Sequence, residues 1–207
     1  MKYKPQAYSF AADFMNLIRE EVRNQESTSE VVNANYSAAL LGLAYGDTDL
    51  VATGSMLAAL EIQAAQMWCH VREGDNIYAP DYTKESRVVG VLLWANKRNS
   101  NLWFAPAQRR ECLLGIQLLP IVPITEELFS DVGYVRELVK WTEPALIREG
   151  VGEGWKGFVY SLQGIYDKNG ALNGHDDGNS LMNLLWWIDS RGEERDGCQV
   201  GEKICSV

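Results

Sequence analysis

The clearest hydrophobic pattern in the chain lies between residues 49 and 72. Leu50, Leu57, Leu60, Ala64, Met67 and Val71 recur at steps of three, four or seven. That spacing is helical and predicts one buried stripe along a long helix. Gln63, Gln66 and His70 form a second, polar stripe on another face. Such a stripe either lines a groove or is a solvated face. Upstream, Tyr8 to Val22 carries Phe10, Phe14, Leu17 and Ile18 near one face and also reads as a helix. Val31 to Tyr45 reads as a third, stopped by Gly46 as a C-cap glycine. Asp47, Thr48 and Asp49 are N-cap candidates for the helix that follows.

Beyond residue 72 the pattern is less regular. Residues 73–87 read as a loop, and the short apolar segment Val88 to Trp94 is compatible with strand or helix. KRNSN at 97–101 reads as a loop. Leu113 to Leu119 is an ambiguous apolar run cut by Gln117, and Pro120 and Pro123 hold an extended link after it. Thr125 opens a short helix, TEELF. Asp131 opens a longer one through Leu146, kinked or broken near Pro144. GVGEGWKG at 150–157 reads as a glycine-rich loop, Trp155 to Asp167 as a helix, and LMNLLWWI as a last apolar helix after the polar loop HDDGNS. From Arg191 the chain turns charged and Gly-rich, which predicts a disordered tail at 191–207 after one helical module at 1–190. No hairpin turn signal and no βαβ rhythm is visible, so the expected class is all-α with long loops.

Composition narrows the function. The chain has 207 residues and a formal net charge of -9, with 19 Lys plus Arg against 28 Asp plus Glu. A nucleic-acid partner needs a basic footprint to displace phosphate counterions, and an anionic membrane attracts basic segments, so neither is expected. No apolar stretch is long enough to span a bilayer. MKYKPQAYSF lacks the apolar core of a secretory signal, which leaves secreted and cytoplasmic locations both open. Cys69, Cys112, Cys198 and Cys205 form no CxxC pair, and His70 and His175 are the two histidines, so no metal site or cofactor is expected. Cys69 fits a small buried hydrophobe, while Cys198 and Cys205 can close a small loop in an oxidising compartment.

Three motifs carry candidate chemistry. Gly152, Gly154 and Gly157 match GxGxxG, but the motif neither follows a strand nor sits in a βαβ unit, so a tight loop presenting Glu153, Trp155 and Lys156 is the better reading. Glu26 and Glu30 are four apart. On a helix they would share a face, and like charges that close raise one pKa, which suits acid or base work. Ser27 to Glu30 is also a capping box before the apolar run at Val31, the reading the spacing favours, and the two can coexist. Seven tryptophans are present. Trp94, Trp103 and Trp155 lie among loop residues such as Asn96, Asn99, Asn101, Asp176, Asp177 and Asn179, a mixture that stacks on sugar rings and bonds their hydroxyls. Trp186 and Trp187 are expected in the core.

Five strings taken together say more. RNQESTSEVVNANYSAALLGLAYGD at 23–47, ALEIQAAQMWCHVREGDNIY at 59–78, GIQLLPIVPITEELF at 115–129, EGWKGFVY at 153–160 and DDGNSLMNLLWW at 176–187 resemble glycoside hydrolase family 81 of the plant type, in order over most of the chain. The resemblance implies the later part of an (α/α)6 barrel, here an incomplete double ring of helices. It implies an inverting endo-1,3-β-glucanase acting on callose- or laminarin-type glucan, so a 1,3-β-glucan partner. Glu30 falls on the position of the base, and Glu26 on that of its neighbour, which orients water or tunes Glu30. Trp155, Asp176, Asp177, Asn179, Gln63, Gln66 and His70 are the expected substrate-binding residues. The implied general acid is an aspartate in a His-rich upstream segment with no counterpart in this sequence. A His-Ser-Trp stretch before the glutamates is missing, and the segment at 167–175 is shortened. A truncated hydrolase and a non-catalytic remnant that binds β-glucan are the two classes these departures leave.

Overall fold

The computed structural model describes residues 3–9, 11–12, 24–25, 27–74, 77–89, 91–93, 97–99, 102, 104–172 and 178–190. Residues 4–9 and 11–12 are helical, and the remainder of the predicted Tyr8–Val22 helix lies outside the described residues. The tail at 191–207, with Cys198 and Cys205, also lies outside them. The molecule is mainly helical, as the periodicity predicts.

Helix α1 (Thr28–Tyr45) begins three residues earlier than the apolar run, because Ser27 caps it by accepting a bond from the Glu30 N–H at 3.2 Å. It ends at Gly46, whose φ of 69° is the left-handed conformation that a C-cap glycine supplies. Asp47 then caps α2 (Thr48–Trp68), accepting from the Leu50 N–H at 3.0 Å, and takes a second bond from the Tyr8 hydroxyl at 2.9 Å.

The predicted buried stripe of α2 is overturned. Leu60 is 55% and Met67 54% exposed, and Val71, though buried, lies beyond the helix. The buried positions of the helix are Gly54, Ala58 and Ala65. They face Asn35, Ala38, Ala39 and Gly42 of α1, themselves at helical spacing. A Cβ on Gly54 would stand 2.6 Å from the Ala39 backbone nitrogen, so the two backbones touch where side chains normally intervene. Small residues permit this approach, and the large apolar residues are displaced to the flanks. The same period was present in the sequence twice, and residue size pointed to the wrong copy.

Three short strands form an antiparallel sheet in the order β1 (Asn24–Gln25), β2 (Val91–Leu93), β3 (Lys97–Asn99). Asn24 pairs with Leu93, and Val91 with Asn99. This corrects the expectation of a loop at 97–101 and of no hairpin. Strands of two or three residues, one of them Lys-Arg-Asn, hold together through backbone bonds and leave no alternating side-chain pattern to read.

Helix α3 (Pro80–Glu85) interrupts the predicted loop at 73–87. The ambiguous apolar run resolves as helix α4 (Arg110–Leu118), the hub of the fold. It is buried along nearly its whole length and packs on α6 (Val132–Leu146) and α7 (Glu153–Gln163). Between them, α5 (Thr125–Leu128) meets α1 and α2. The largest core cluster joins Leu114, Leu118, Phe129, Tyr134, Leu138 and Leu162. Asp131 caps α6 as predicted, and the helix runs past Pro144 to Leu146. Helix α8 (Lys168–Leu172) and helix α9 (Gly178–Asp189) close the far side against α7. Trp187 is buried there and donates to the Ser161 carbonyl at 2.9 Å, whereas Trp186 is 46% exposed, contrary to its expected place in the core. Successive helical residues point about 100° apart, so two adjacent tryptophans cannot both face one core.

Candidate active site

The start of α1 is fixed by three consecutive buried hydroxyl residues. The Ser27 hydroxyl donates to the Ile116 carbonyl at 2.6 Å, and the Ser29 hydroxyl donates to the Leu119 carbonyl. Between them, the Thr28 N–H and hydroxyl both donate to Oε1 of Gln117, at 3.0 and 2.8 Å. Asn33 extends the contact by donating to the Thr125 hydroxyl at 3.3 Å. Immediately upstream, β1 ends at Gln25, so Glu26 lies in sequence between a paired strand and a capped helix. Glu26 itself is outside the described residues.

Glu30 stands in the first turn of α1 and is exposed. Its charge is favourable there, because the free N–H groups of a helix start carry partial positive charge. The capping reading of Ser27 and the placement of a carboxylate at the helix start therefore coexist. What the capping pattern did not reveal is the bonding of Thr28 and Ser29 to α4. Gln117 was the available signal: one polar residue inside an apolar run is buried, and a buried amide needs partners.

Trp155 belongs to the first turn of α7, so the segment at 150–157 is a helix start rather than a loop from residue 153 onward. Gly152 precedes it as N-cap, and Glu153 pairs with Lys156 across one turn. The indole lies on Gly115 of α4, where a Cβ would come within 2.6 Å of the ring. Phe104 stacks on the indole with centroids 5.9 Å apart and planes at 21°, and Phe158 flanks it at the same distance. Phe104 is 55% exposed and has no sequence pattern of its own that marks it, although it adjoins Trp103 in the same polar segment. Trp155 rests on Gly115 while Ser27 and Thr28 bond Ile116 and Gln117, so one helix carries both the aromatic group and the carboxylate helix.

The remaining expected ligand residues are placed differently. Gln63 is exposed, and Gln66 donates to the Glu127 carbonyl at 2.9 Å, tying α2 to the loop side of α5. His70 is buried, stacked on Tyr134 at 4.3 Å and facing Phe129 at 5.5 Å. The three do not form a common groove wall: one is solvated, one braces a neighbouring helix, and one is core. Asp176 and Asp177 lie outside the described residues. Asn179 falls within α9, and the structure does not describe its side chain.

Burial pushes the His70 pKa down to about 3, with Arg72 adding to the shift, so His70 is a neutral ring at working pH. Burial also raises the Cys69 thiol to about 12 and the Cys112 thiol to about 11, which removes both as nucleophiles. Among the described residues no group of three or more His, Cys, Asp or Glu is arranged to hold a metal, and no helix is long and apolar enough to cross a membrane. A cleft of about 390 Å³ between Glu73, Arg87, Arg136, Glu137, Lys140 and Trp141 contains none of the candidate residues.

The family model described as glycosyl hydrolase family 81 C-terminal domain matches residues 6–188. A glucan endo-1,3-beta-D-glucosidase from Glycine max is 55% identical over 227 aligned positions, covering 93% of this chain and 34% of the relative. The alignment is longer than the 207-residue chain, so the relative carries residues with no counterpart here. A protein of the same name from Acetivibrio thermocellus is 26% identical over 175 residues, covering 80% of this chain and 21% of its own length. A solved structure of a mutant glycoside hydrolase family 81 protein from Clostridium thermocellum superposes with a TM-score of 0.67 at 22% identity, over 80% of this chain and 23% of that one, which supports the fold. The chain thus spans about a third of its soybean relative and less of the bacterial ones. With nearly its whole length matched by the C-terminal domain, and more than half of its aligned residues shared with the soybean protein, the chain belongs to glycosyl hydrolase family 81.

Proposed function

We propose that this chain is the base-carrying part of an inverting endo-1,3-β-glucanase. Residues 1–190 would supply part of an (α/α)6 barrel, with 1,3-β-glucan of the callose or laminarin type as substrate. The observation that carries the reading is that α4 both braces the start of α1, where Glu30 stands exposed, and supports the Phe104–Trp155 pair. In the inverting reaction a carboxylate takes a proton from a water, which attacks the anomeric carbon on the face opposite the leaving oxygen. Glu30 takes that role, and Glu26 orients the water or tunes Glu30. The stacked aromatic pair offers a flat apolar surface to a glucose ring, whose C–H faces need such a partner. Asp176 and Asp177, which precede α9 in sequence, and Asn179 in its first turn would bond sugar hydroxyls.

The names of the relatives agree with this reading, since the soybean and bacterial proteins are called glucan endo-1,3-beta-D-glucosidases. Removing the aromatic surface tests it. Trp155→Ala should weaken laminarihexaose binding about tenfold, an ordinary loss for a tryptophan anchor. Titration calorimetry measures it, with far-ultraviolet dichroism to verify that helix content is retained. Equal affinity in the variant would remove Trp155 from the site.

A further inference from the structure

We propose that Gln117 is a positioning residue for Glu30, acting through Thr28; the proposal rests on the reading of Glu30 as the base. Gln117 is 2% exposed and its Oε1 accepts both donors that Thr28 offers, the N–H and the hydroxyl. Thr28 is the first residue of α1, and Glu30 is the third. Ser27 caps only the Glu30 N–H, so the buried Thr28 N–H still needs an acceptor, and Gln117 supplies it from another helix.

The contact is reciprocal. Helix starts leave N–H groups without partners, and helix ends leave carbonyls without them. Here the Ile116 and Leu119 carbonyls at the end of α4 receive the Ser27 and Ser29 hydroxyls, while α1 gives its first N–H to Gln117. The negative end of α4 meets the positive start of α1, so the dipoles also favour the joint. Its consequence is a fixed register. Glu30 directly follows the joint, two residues after Thr28, and Trp155 rests on Gly115, two residues before Gln117 on the same helix. Gln117 therefore sets the carboxylate relative to the aromatic surface. Displacement of a catalytic group by about 1 Å can lower a rate about a hundredfold, so such register matters to an enzyme.

The test uses Gln117→Met, which keeps volume and removes the acceptor, beside Thr28→Val and Thr28→Ser. Amide hydrogen exchange and laminarihexaose affinity are measured on each full chain. Gln117→Met should speed exchange at Thr28 and Ser29 about tenfold and weaken binding about threefold or more, with Leu138 and Leu162 exchange unchanged. Thr28→Val should reproduce the affinity loss in milder form, and Thr28→Ser, which keeps the hydroxyl, should restore it. If Gln117→Met fails to fold, the Thr28 pair decides alone. Faster local exchange with unchanged affinity, or no rescue by serine, would overturn the positioning role. Absence of laminarihexaose binding by the unaltered chain would instead sink the glucan reading, and this proposal with it.

Discussion

Expressed by itself, this 207-residue chain should hydrolyse laminarin about a hundredfold or more slowly than an inverting glycosidase with both carboxyl groups in place. Inversion divides its work between a base and an acid on opposite faces of the scissile bond, roughly 6.5–9.5 Å apart. Glu26 and Glu30 are four residues apart in sequence, too close in the chain to straddle a sugar ring with ease. The acid that family resemblance implies is an aspartate in a segment without a counterpart among these residues. Without it the leaving oxygen departs unprotonated, and the loss of one general acid typically lowers a rate roughly 10²–10⁴-fold. Leu43 at 64% and Met56 at 56% leave large apolar side chains of α1 and α2 exposed. A reducing-sugar assay on laminarin, run beside Glu30→Gln, measures the effect. Robust turnover that Glu30→Gln abolishes would show that another residue of this chain serves as the acid.

The fold should lose stability as pH falls below about 6, at up to about 1.4 kcal/mol per pH unit, because of His70. In the unfolded chain His70 titrates near 6.5, while in the fold burial holds it near 3. Between those values the unfolded state binds a proton that the folded state refuses, so stability is full above 6.5 and declines toward 3. The surroundings explain the refusal: the ring stacks on Tyr134 and Phe129, and among the described residues its buried Nε2 has no hydrogen-bond partner. Arg72 opposes protonation, while Asp131 favours it more weakly. Asp131 contributes in a lower window that overlaps the end of this one. The Tyr134 N–H and Arg72 depress its pKa below 3.8, so its stabilisation is lost only as pH falls through that lower range. Urea midpoints from pH 7 to pH 4 test the assignment. His70→Phe should flatten the slope between pH 6 and pH 4, and an unchanged slope would assign the acid sensitivity to other groups.

His70 also shows how far the sequence could be read. Helical spacing placed it with Gln63 and Gln66, and that spacing is real, but the helix ends at Trp68 and His70 turns into the core. Periodicity does not show where a helix stops when the stop is a change of packing rather than a glycine or proline. The caps were legible because Ser27, Asp47, Gly46 and Asp131 act on backbone within four residues of themselves. The face shared by α1 and α2 was not, since its signal is the smallness of Gly54, Ala58 and Ala65. For the site, the glutamates and Trp155 stood out by residue type and by family likeness. Gln117 and Phe104 did not, because their roles are set by contacts made across long stretches of chain.

The most direct measurement is a titration of the intact chain with laminarihexaose and, separately, with cellohexaose, followed by isothermal calorimetry. The two ligands share composition and length and differ only in linkage, so they separate 1,3-β-glucan recognition from generic stacking of sugars on tryptophan. Saturable binding of laminarihexaose is expected, weaker by about tenfold in Trp155→Ala, with affinity for cellohexaose lower than that for the 1,3-linked ligand by about tenfold or more. Equal affinity for both ligands, or no heat with laminarihexaose from a chain that dichroism shows to be helical, would contradict it.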